Sequence, residues 1–277
     1  MESLKNLVMN EEKATEKLSD LSYWDEVLKS AKLPRINSKK SYLYSVTMKY
    51  VDPVLKNAGI KTFFEVGCGS SGWLPYFSNQ YRYTVSGLDY SEIGCELARK
   101  NLSLQNISYG EILCKDFFTP DPTEGKYYDA VFSYGVIEHF SEPVKIVGIF
   151  NSFLNDNGIM ITLVPNLAGV IGKLTKYFVP DVYKIHNVID AELLKSYHLQ
   201  NDMTIIKNGY AGIFAFNVMP WVKSQHWLFK EATLRRKFLL FLLRGADRVM
   251  GKLFKLLPFD FPTRFFSPYV ICIAKKN

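Results

Sequence analysis

The sequence predicts an α/β fold: a seven-stranded, mostly parallel sheet with helices on both faces and an antiparallel last strand. Two observations support this prediction. Between about residues 59 and 216, short apolar segments rich in β-branched and aromatic residues alternate with amphipathic helical segments. The last strand-like segment, residues 267–276, follows the sixth without the short helical crossover that a parallel connection would need.

Helical patterns predominate at the N-terminus. Residues 2–32 predict a first helix, residues 29–40 a loop marked by Pro34, and residues 41–57 a second helix that Gly59 ends. Strand patterns follow, each ending near a glycine or a polar side chain; they lie at KTFFEVG (61–67), YTVSGLDY (83–90), ISYGEILCKD (107–116), YDAVFSYG (128–135), DNGIMITLVPN (156–166) and MTIIKNGYAGIF (203–214). Helical patterns separate these strands near 72–79 and at 91–104, 141–154 and 190–200.

These patterns divide the chain into three parts. We predict a helical cap at 1–58, a core formed by 59–216 together with 267–277, and a basic helical insert at 217–266. The insert is distinguished by its charge. Residues 217–277 contain twelve Lys or Arg and three acidic residues, a charge of +9, whereas the whole chain carries +7.

The insert carries an amphipathic helical pattern. Its basic residues 237, 244, 248, 252 and 255 would share one face of a helix, opposite a leucine-rich face. Three interpretations stay open: a solvated helix packed on the core, a lid over the acceptor site, or a peripheral contact with anionic membrane through residues 230–257. The same charge could contact nucleic acid, but no recognisable nucleic-acid-binding module is present and we expect no sequence-specific contact.

The N-terminus lacks the apolar run of a secretory signal. The four cysteines show neither a C-x-x-C pair nor zinc-ligand spacing, which predicts reduced thiols and no metal site. We therefore expect a cytoplasmic protein, with the membrane surface as an alternative location.

A glycine-rich stretch, FFEVGCGSSGWL at 63–74, holds the chemistry that the sequence shows most clearly. Gly67, Gly69 and Gly72 form the G-x-G-x-x-G pattern of dinucleotide-binding loops, which by itself permits an NAD-binding oxidoreductase. Acidic side chains also stand at strand ends: Glu65 within the first, Asp89 in the second and Asp116 in the third. Ligands of open α/β sheets bind at these carboxyl ends, so the side chains are expected to face one site.

Five stretches in register resemble a known family. EVGCGSSG, GLDYSE, CKDFF, YDAVFSYGVIEHF and LNDNGIMITLVPN are similar, in order and spacing, to the motifs of class I S-adenosylmethionine-dependent methyltransferases. The resemblance covers residues 60–167 and extends loosely to the last strand. IEHF is similar to the corresponding segment of quinone-biosynthesis and related small-molecule methyltransferases. The resemblance implies the Rossmann-like form of the α/β fold, with S-adenosylmethionine as cofactor and S-adenosylhomocysteine as product.

The resemblance also implies roles for individual residues. Glu65 would orient the glycine loop and approach the amino group of the methionine moiety, and Asp89 would bind the ribose. The other expected cofactor residues line the methionine moiety (Gly67, Cys68, Gly69 and Ser133) or the adenine (Tyr90, Asp116 and Phe117).

For the acceptor the sequence is less informative. His139, next to Glu138 beyond the fourth strand, is the candidate general base, with a structural histidine as the alternative. Candidate substrate contacts are Tyr23 and Trp24 in the first helix and Asn166, Tyr183 and His186 after the fifth strand. We expect methyl transfer to oxygen or nitrogen of a small or lipid-like acceptor. The alternatives are a non-catalytic cofactor-binding or membrane-surface adaptor on this fold and the NAD-binding oxidoreductase.

Overall fold

The structure, a computed structural model, describes residues 15–37, 42–56, 58–213, 238, 241–242, 245, 249 and 261–277. Residues 2–14 of the predicted first helix and most of the predicted insert, including nearly all of 230–257, lie outside the described residues. Within the described part of the chain, no helix combines the length and the hydropathy needed to cross a bilayer.

The described strands form one sheet. They are β1 (Thr62–Val66), β2 (Thr84–Asp89), β3 (Ile112–Cys114), β4 (Tyr128–Tyr134), β5 (Leu154–Pro165), β6 (Met203–Ala211) and β7 (Tyr269–Lys276). The strand order is β3-β2-β1-β4-β5-β7-β6, and β7 pairs antiparallel with both neighbours while the other pairings are parallel. The predicted sheet with an antiparallel last strand is therefore confirmed.

The described helices surround this sheet. They are α1 (Leu21–Lys29), α2 (Tyr42–Leu55), α3 (Trp73–Tyr81), α4 (Glu92–Leu104), α5 (Pro143–Ser152), α6 (Val170–Phe178), α7 (Pro180–Lys184) and α8 (Ala191–Leu199). Short polar caps explain several helix starts: the side chains of Asp20, Ser91 and Asp190 each accept a backbone N–H of the first turn. The sequence patterns did not predict α6 and α7.

The core lies on both faces of the sheet because side chains alternate along each strand. In β1, Phe63 packs into the cluster formed with α2, α3 and α4, whereas Phe64 packs into the cluster formed with α5 and α8. Both phenylalanines are fully buried. This two-sided burial makes β1 a central strand, between β2 and β4, so the chain reverses its strand order there.

Two predicted elements differ from the structure. The predicted first helix begins only at Leu21: Lys17 instead forms an isolated antiparallel bridge with Phe140, and the Leu18 amide donates to the carbonyl of His139 at 2.8 Å. The segment from residue 15 to residue 18 thus runs extended across the carboxyl end of the sheet. The predicted fifth strand at 156–166 begins earlier, because β5 starts at Leu154 and its pairing with β4 shifts between Tyr128 and Ala130.

Candidate active site

A cavity of about 580 Å³ lies at the carboxyl ends of β1, β2 and β4. Its volume falls in the range typical of small-molecule sites. It occupies the point where strand order reverses, which is the usual ligand position in an open α/β sheet. The predicted residues that line it are Glu65, Gly67, Cys68, Gly69, Asp89, Tyr90, Asp116, Phe117, His139 and Trp24.

The glycine loop makes the close backbone approach that its sequence predicts. Gly67 has φ of +73°, and a Cβ there would stand 2.7 Å from Cγ2 of Val136. The amide of Gly67 donates to the carbonyl of Leu88 at 2.8 Å. Position 67 therefore requires glycine both for its left-handed backbone and for the space that Val136 occupies.

Asp89 ties the end of β2 to this loop. Its Oδ2 accepts the Gly69 amide at 2.8 Å, and its Oδ1 accepts the Ser91 amide at 2.9 Å. Burial raises the pKa of Asp89 to about 6, and these backbone hydrogen bonds act in the opposite direction. The side chain lines the cavity, so it can accept further hydrogen bonds from a ligand.

Glu65 is a buried carboxyl at the end of β1. Burial raises its pKa to about 8, while a hydrogen bond from Ser71 and the charge of Arg35 lower it. Its Oε2 has no hydrogen-bond partner among the described residues. A buried carboxyl oxygen without a partner is costly, and it marks a position where a cationic or hydrogen-bonding ligand group would be stabilised.

Arg35 lines the same part of the cavity, although no sequence pattern predicted it as a site residue. Its Nη1 donates to Oγ of Ser70 at 3.1 Å and to the Ser70 carbonyl at 3.3 Å. The buried amide of Asn101 fixes the Arg35 backbone, accepting its N–H at 2.8 Å and donating to its carbonyl at 3.0 Å. The loop that bears Arg35 is thus held beside the glycine loop with a guanidinium at the cavity wall.

The opposite end of the cavity holds Tyr90, Asp116 and Phe117. Lys17 forms an ion pair with Asp116, and its ammonium stands 4.5 Å from the ring centroid of Tyr90. The Lys17 and Asp116 side chains both keep 31% of their surface exposed, so this pair lies at the rim. The extended N-terminal segment therefore covers this end of the cavity. The sequence predicted a helix for this segment and so did not predict the cover.

His139 also lines the cavity. Its Nδ1 lies 2.9 Å from the carbonyl of Ile185, and its ring stands 4.9 Å from Trp24 and 4.2 Å from His186, measured between centroids. Burial lowers the pKa of His139 well below its ordinary value, and the nearby His186 lowers it further. The ring is therefore neutral near pH 7 and can accept a proton or a hydrogen bond.

Aromatic side chains form another part of the cavity wall. We call Tyr44, Trp73, Tyr134 and Tyr269 the aromatic wall; all four line the cavity. The Tyr134 and Tyr269 hydroxyls lie 2.5 Å apart, and the Tyr44 hydroxyl is buried without a hydrogen-bond partner among the described residues. This wall combines ring faces with hydroxyl groups and suits an apolar molecule with a few polar atoms.

Five predicted site residues do not line the cavity: Ser133, Tyr23, Asn166, Tyr183 and His186. Ser133 is fully buried beneath it. The Asn166 amide donates to the carbonyls of Arg264 and Ser267, both at 2.8 Å, and so braces the start of β7. Such a bracing amide and a ligand-binding amide look alike in a sequence.

Residues 64–162 match the family model of a methyltransferase domain. No curated protein matches the chain in sequence. Among solved structures, the plantazolicin methyltransferase BpumL in complex with S-adenosylhomocysteine is 16% identical, with a TM-score of 0.55 over 94% of this chain and 92% of its own.

Two further solved structures show the same fold. Magnesium protoporphyrin IX methyltransferase from Synechocystis, with bound S-adenosylhomocysteine, is 14% identical, with a TM-score of 0.52 over 92% of this chain and 95% of its own. A putative sarcosine dimethylglycine methyltransferase from Galdieria sulphuraria is 11% identical, with a TM-score of 0.58 over 94% and 99%. The cavity lies at the carboxyl ends of the strands of that fold, and residues 64–162 of the chain form a domain of the S-adenosylmethionine-dependent methyltransferase kind.

Proposed function

We propose that the protein transfers the methyl group of S-adenosylmethionine to an oxygen or nitrogen atom of a small or lipid-like acceptor bound against the aromatic wall. One observation carries this proposal: a single cavity joins the cofactor-motif residues, His139 and the aromatic wall. Donor and acceptor can therefore share one enclosed space, as an in-line transfer requires.

Two charged side chains suit the methionine moiety of the cofactor. Glu65 would accept the α-ammonium group and Arg35 would bind the α-carboxylate, a charge-assisted contact that guanidinium groups make well. The three residues Gly67, Cys68 and Gly69 would line the same moiety. The expected contact of Ser133 with this moiety stays a prediction, because Ser133 is buried beneath the cavity and does not line it.

Asp89 would accept the ribose hydroxyls, for which both of its oxygens are already oriented. At the rim, Tyr90 and Phe117 would flank the adenine, and Asp116 would accept a hydrogen bond from the adenine amino group. Lys17 now pairs with that carboxylate. Cofactor binding would thus require Lys17 to share or release Asp116, and the N-terminal segment, which already covers this end of the cavity, would lie over the adenine.

The reaction needs little from the protein beyond positioning. The acceptor atom attacks the methyl carbon, the carbon–sulfur bond breaks with its electron pair passing to sulfur, and S-adenosylhomocysteine leaves as a neutral thioether. An acceptor hydroxyl or ammonium group must also lose a proton. His139 is the candidate base because its hydrogen bond to a backbone carbonyl puts the proton on Nδ1 and leaves the Nε2 lone pair free.

The acceptor class follows from the wall that would bind it. Ring faces and Leu163 would hold an apolar body, while the hydroxyls of Tyr44, Tyr134 and Tyr269 would orient a polar atom. Trp24 would cover the acceptor from α1. Contacts of Tyr23, Asn166, Tyr183 and His186 with the acceptor stay predictions. One solved relative in fold, coclaurine N-methyltransferase, is bound to N-methylheliamine.

The test has two arms. Isothermal titration with S-adenosylmethionine and S-adenosylhomocysteine should show binding, and absence of both would refute the proposal. Release of S-adenosylhomocysteine is then measured across a panel of phenols, amines and fatty acids. Cofactor binding with no turnover on any of them would favour the non-catalytic adaptor instead. NAD serves as the negative control in the titrations, where it should not bind.

A further inference from the structure

Three potential metal ligands converge beside the cavity. Glu138 and His139 belong to a 3-10 turn, Ile137–His139, that follows β4, and His186 lies just after α7. One donor atom from each residue lies within 4.8 Å of the other two. Glu138 and His139 keep 1% and 4% of their surface exposed, so two of the three are removed from bulk water.

Both imidazoles are held in one tautomer by the backbone. Nδ1 of His139 lies 2.9 Å from the carbonyl of Ile185, and Nδ1 of His186 lies 2.6 Å from the carbonyl of Val182. A carbonyl can only accept, so each Nδ1 carries the hydrogen and each Nε2 carries a lone pair. Histidines that bind metals are oriented in this way, through the ring nitrogen that does not bind the metal.

Glu138 supplies a carboxyl group that can still accept a ligand contact. Its Oε2 is buried and has no hydrogen-bond partner among the described residues. Its Oε1 stands 4.0 Å from Nε2 of His139, too far for a hydrogen bond. The backbone here is fixed, because the Asn187 amide donates to the Glu138 carbonyl at 2.7 Å. A cation between the three residues would compensate for this unpartnered oxygen.

We propose that Glu138, His139 and His186 bind a divalent transition-metal ion, with Zn²⁺ the best match to two imidazoles and one carboxylate. Three protein ligands leave an open coordination position. His139 lines the cavity, so that position faces the acceptor side of the site. The proposal replaces the sequence-based expectation that the protein has no metal site.

The metal would act on the acceptor, and this step rests on the proposed methyl transfer. An acceptor hydroxyl bound at the open position would release its proton to solvent more readily, because the cation stabilises the alkoxide or phenoxide. The oxygen would then attack the methyl carbon as the carbon–sulfur bond breaks. This role and that of His139 as general base exclude each other, since each uses the same Nε2 lone pair.

Metal binding can be measured without any acceptor. The full chain is stripped with EDTA and titrated with Zn²⁺ by calorimetry and with Co²⁺ by visible absorption. We expect about one ion per chain, and a Co²⁺ spectrum of low-symmetry coordination that Zn²⁺ abolishes. Glu138→Gln and His186→Gln should each weaken Zn²⁺ binding on the order of 100-fold.

His198→Gln is the matched control. His198 is also buried, with its Nδ1 2.9 Å from the carbonyl of Leu194, but it lies outside the cluster. The His198→Gln variant should bind Zn²⁺ with the affinity of the wild type. Circular dichroism identifies any variant that fails to fold, and His186→Gln is the safer of the two cluster variants because His186 is only partly buried.

Two results would overturn the proposal: no Zn²⁺ binding by the wild type, or binding that neither cluster variant weakens. S-adenosylhomocysteine affinity is measured on the same samples. Cofactor binding without Zn²⁺ binding would refute the metal site alone. Zn²⁺ binding at the cluster without cofactor binding would refute the proposed function and leave the metal site standing.

Discussion

The Oδ2 atom of Asp89 accepts a hydrogen bond from the backbone amide of Gly69 at 2.8 Å, so the side chain proposed to bind the ribose also holds the glycine loop. One carboxylate thus fixes the loop and faces the cavity. Because its second oxygen is bonded to the Ser91 amide, the carboxylate has a defined orientation before any ligand arrives. A preoriented acceptor loses less entropy on binding, which favours affinity.

This arrangement predicts a pH-dependent cofactor affinity. Burial raises the pKa of Asp89 to about 6, and accepting ribose hydroxyls favours the ionised form. S-adenosylhomocysteine should therefore bind more tightly as pH rises through 6, and ionisation of Glu65, whose pKa burial raises to about 8, should add a separate rise at higher pH. Asp89→Asn should lose roughly ten- to a hundredfold in affinity and lose the rise near pH 6. Calorimetry between pH 5 and pH 8 measures both, at pH values chosen about one unit apart.

Asp202→Asn is the control for this series. Asp202 is exposed and has φ of +54°, a conformation that asparagine tolerates well, so the variant should match the wild type. An affinity of the wild type that does not change with pH would contradict the assignment of Asp89.

Arg35 can be tested with two ligands that differ by one group. Decarboxylated S-adenosylmethionine lacks the α-carboxylate that Arg35 is proposed to bind. Arg35→Gln should therefore weaken binding of S-adenosylmethionine by roughly ten- to a hundredfold and change binding of the decarboxylated ligand little. Lys29→Gln, which alters an exposed ammonium on α1, should affect neither ligand. Equal losses for both ligands would show that Arg35 acts only on the loop.

The sequence predicted the position of the cofactor end of the site but not the guanidinium of Arg35 that lines it. Glycine spacing and acids at strand ends predict where Asp89 and Asp116 meet, because parallel strands bring their carboxyl ends together. Arg35 lies in a loop that no periodicity describes. Its place depends on Asn101, 66 residues away on α4, whose amide bonds to its backbone. Such long-range contacts to loops leave no local pattern.

The N-terminal segment shows the same limit. Its polar, helix-favouring composition predicted a helix up to residue 32, yet Lys17 and Leu18 run extended because Phe140 and His139 offer backbone partners. Tertiary hydrogen bonding overrode local propensity. The ion pair of Lys17 with Asp116 follows from that strand-like path and could not be anticipated from spacing.

In the cofactor-free protein, the buried Glu65 should lower the free energy of unfolding at alkaline pH. Burial raises its pKa from an ordinary value of 4.5 to about 8. The folded state therefore holds the proton more tightly than the unfolded state does. This contribution to stability is complete below pH 4.5 and is lost as pH rises through 8, by at most about 1.4 kcal/mol per pH unit.

Glu65→Gln should remove that part of the fall, because the amide cannot ionise. Urea unfolding at pH 6 and pH 8.5 measures it, and the difference between wild type and variant isolates Glu65 from Asp89 and Glu138, whose pKa values are also raised. The same variant should bind S-adenosylmethionine more weakly. Parallel stability profiles for the two proteins would refute the assigned ionisation.

Tyr44 offers a test of the acceptor wall. Its buried hydroxyl has no hydrogen-bond partner among the described residues, so Tyr44→Phe should stabilise the cofactor-free protein by about 1 kcal/mol. S-adenosylhomocysteine affinity should not change, whereas the KM for an accepted substrate should rise. Tyr83→Phe is the matched control. The Tyr83 hydroxyl lies 3.2 Å from the carbonyl of Leu55, so its removal should destabilise. A less stable Tyr44→Phe would contradict the prediction.

Membrane contact can be tested at the described positions of the predicted insert. Phe238, Phe241, Leu242 and Val249 are described in helical conformation with 49% to 71% of their surface exposed, at spacings that place them on one helix face. If this face enters a lipid interface, the double variant Phe238→Ser with Phe241→Ser should lose most flotation with anionic liposomes, and salt should weaken flotation of the wild type. Tyr127→Ser changes an equally exposed aromatic side chain before β4 and should float like the wild type. Equal flotation with neutral and anionic vesicles would show that the basic residues do not contribute to membrane binding, because only anionic headgroups attract Lys and Arg.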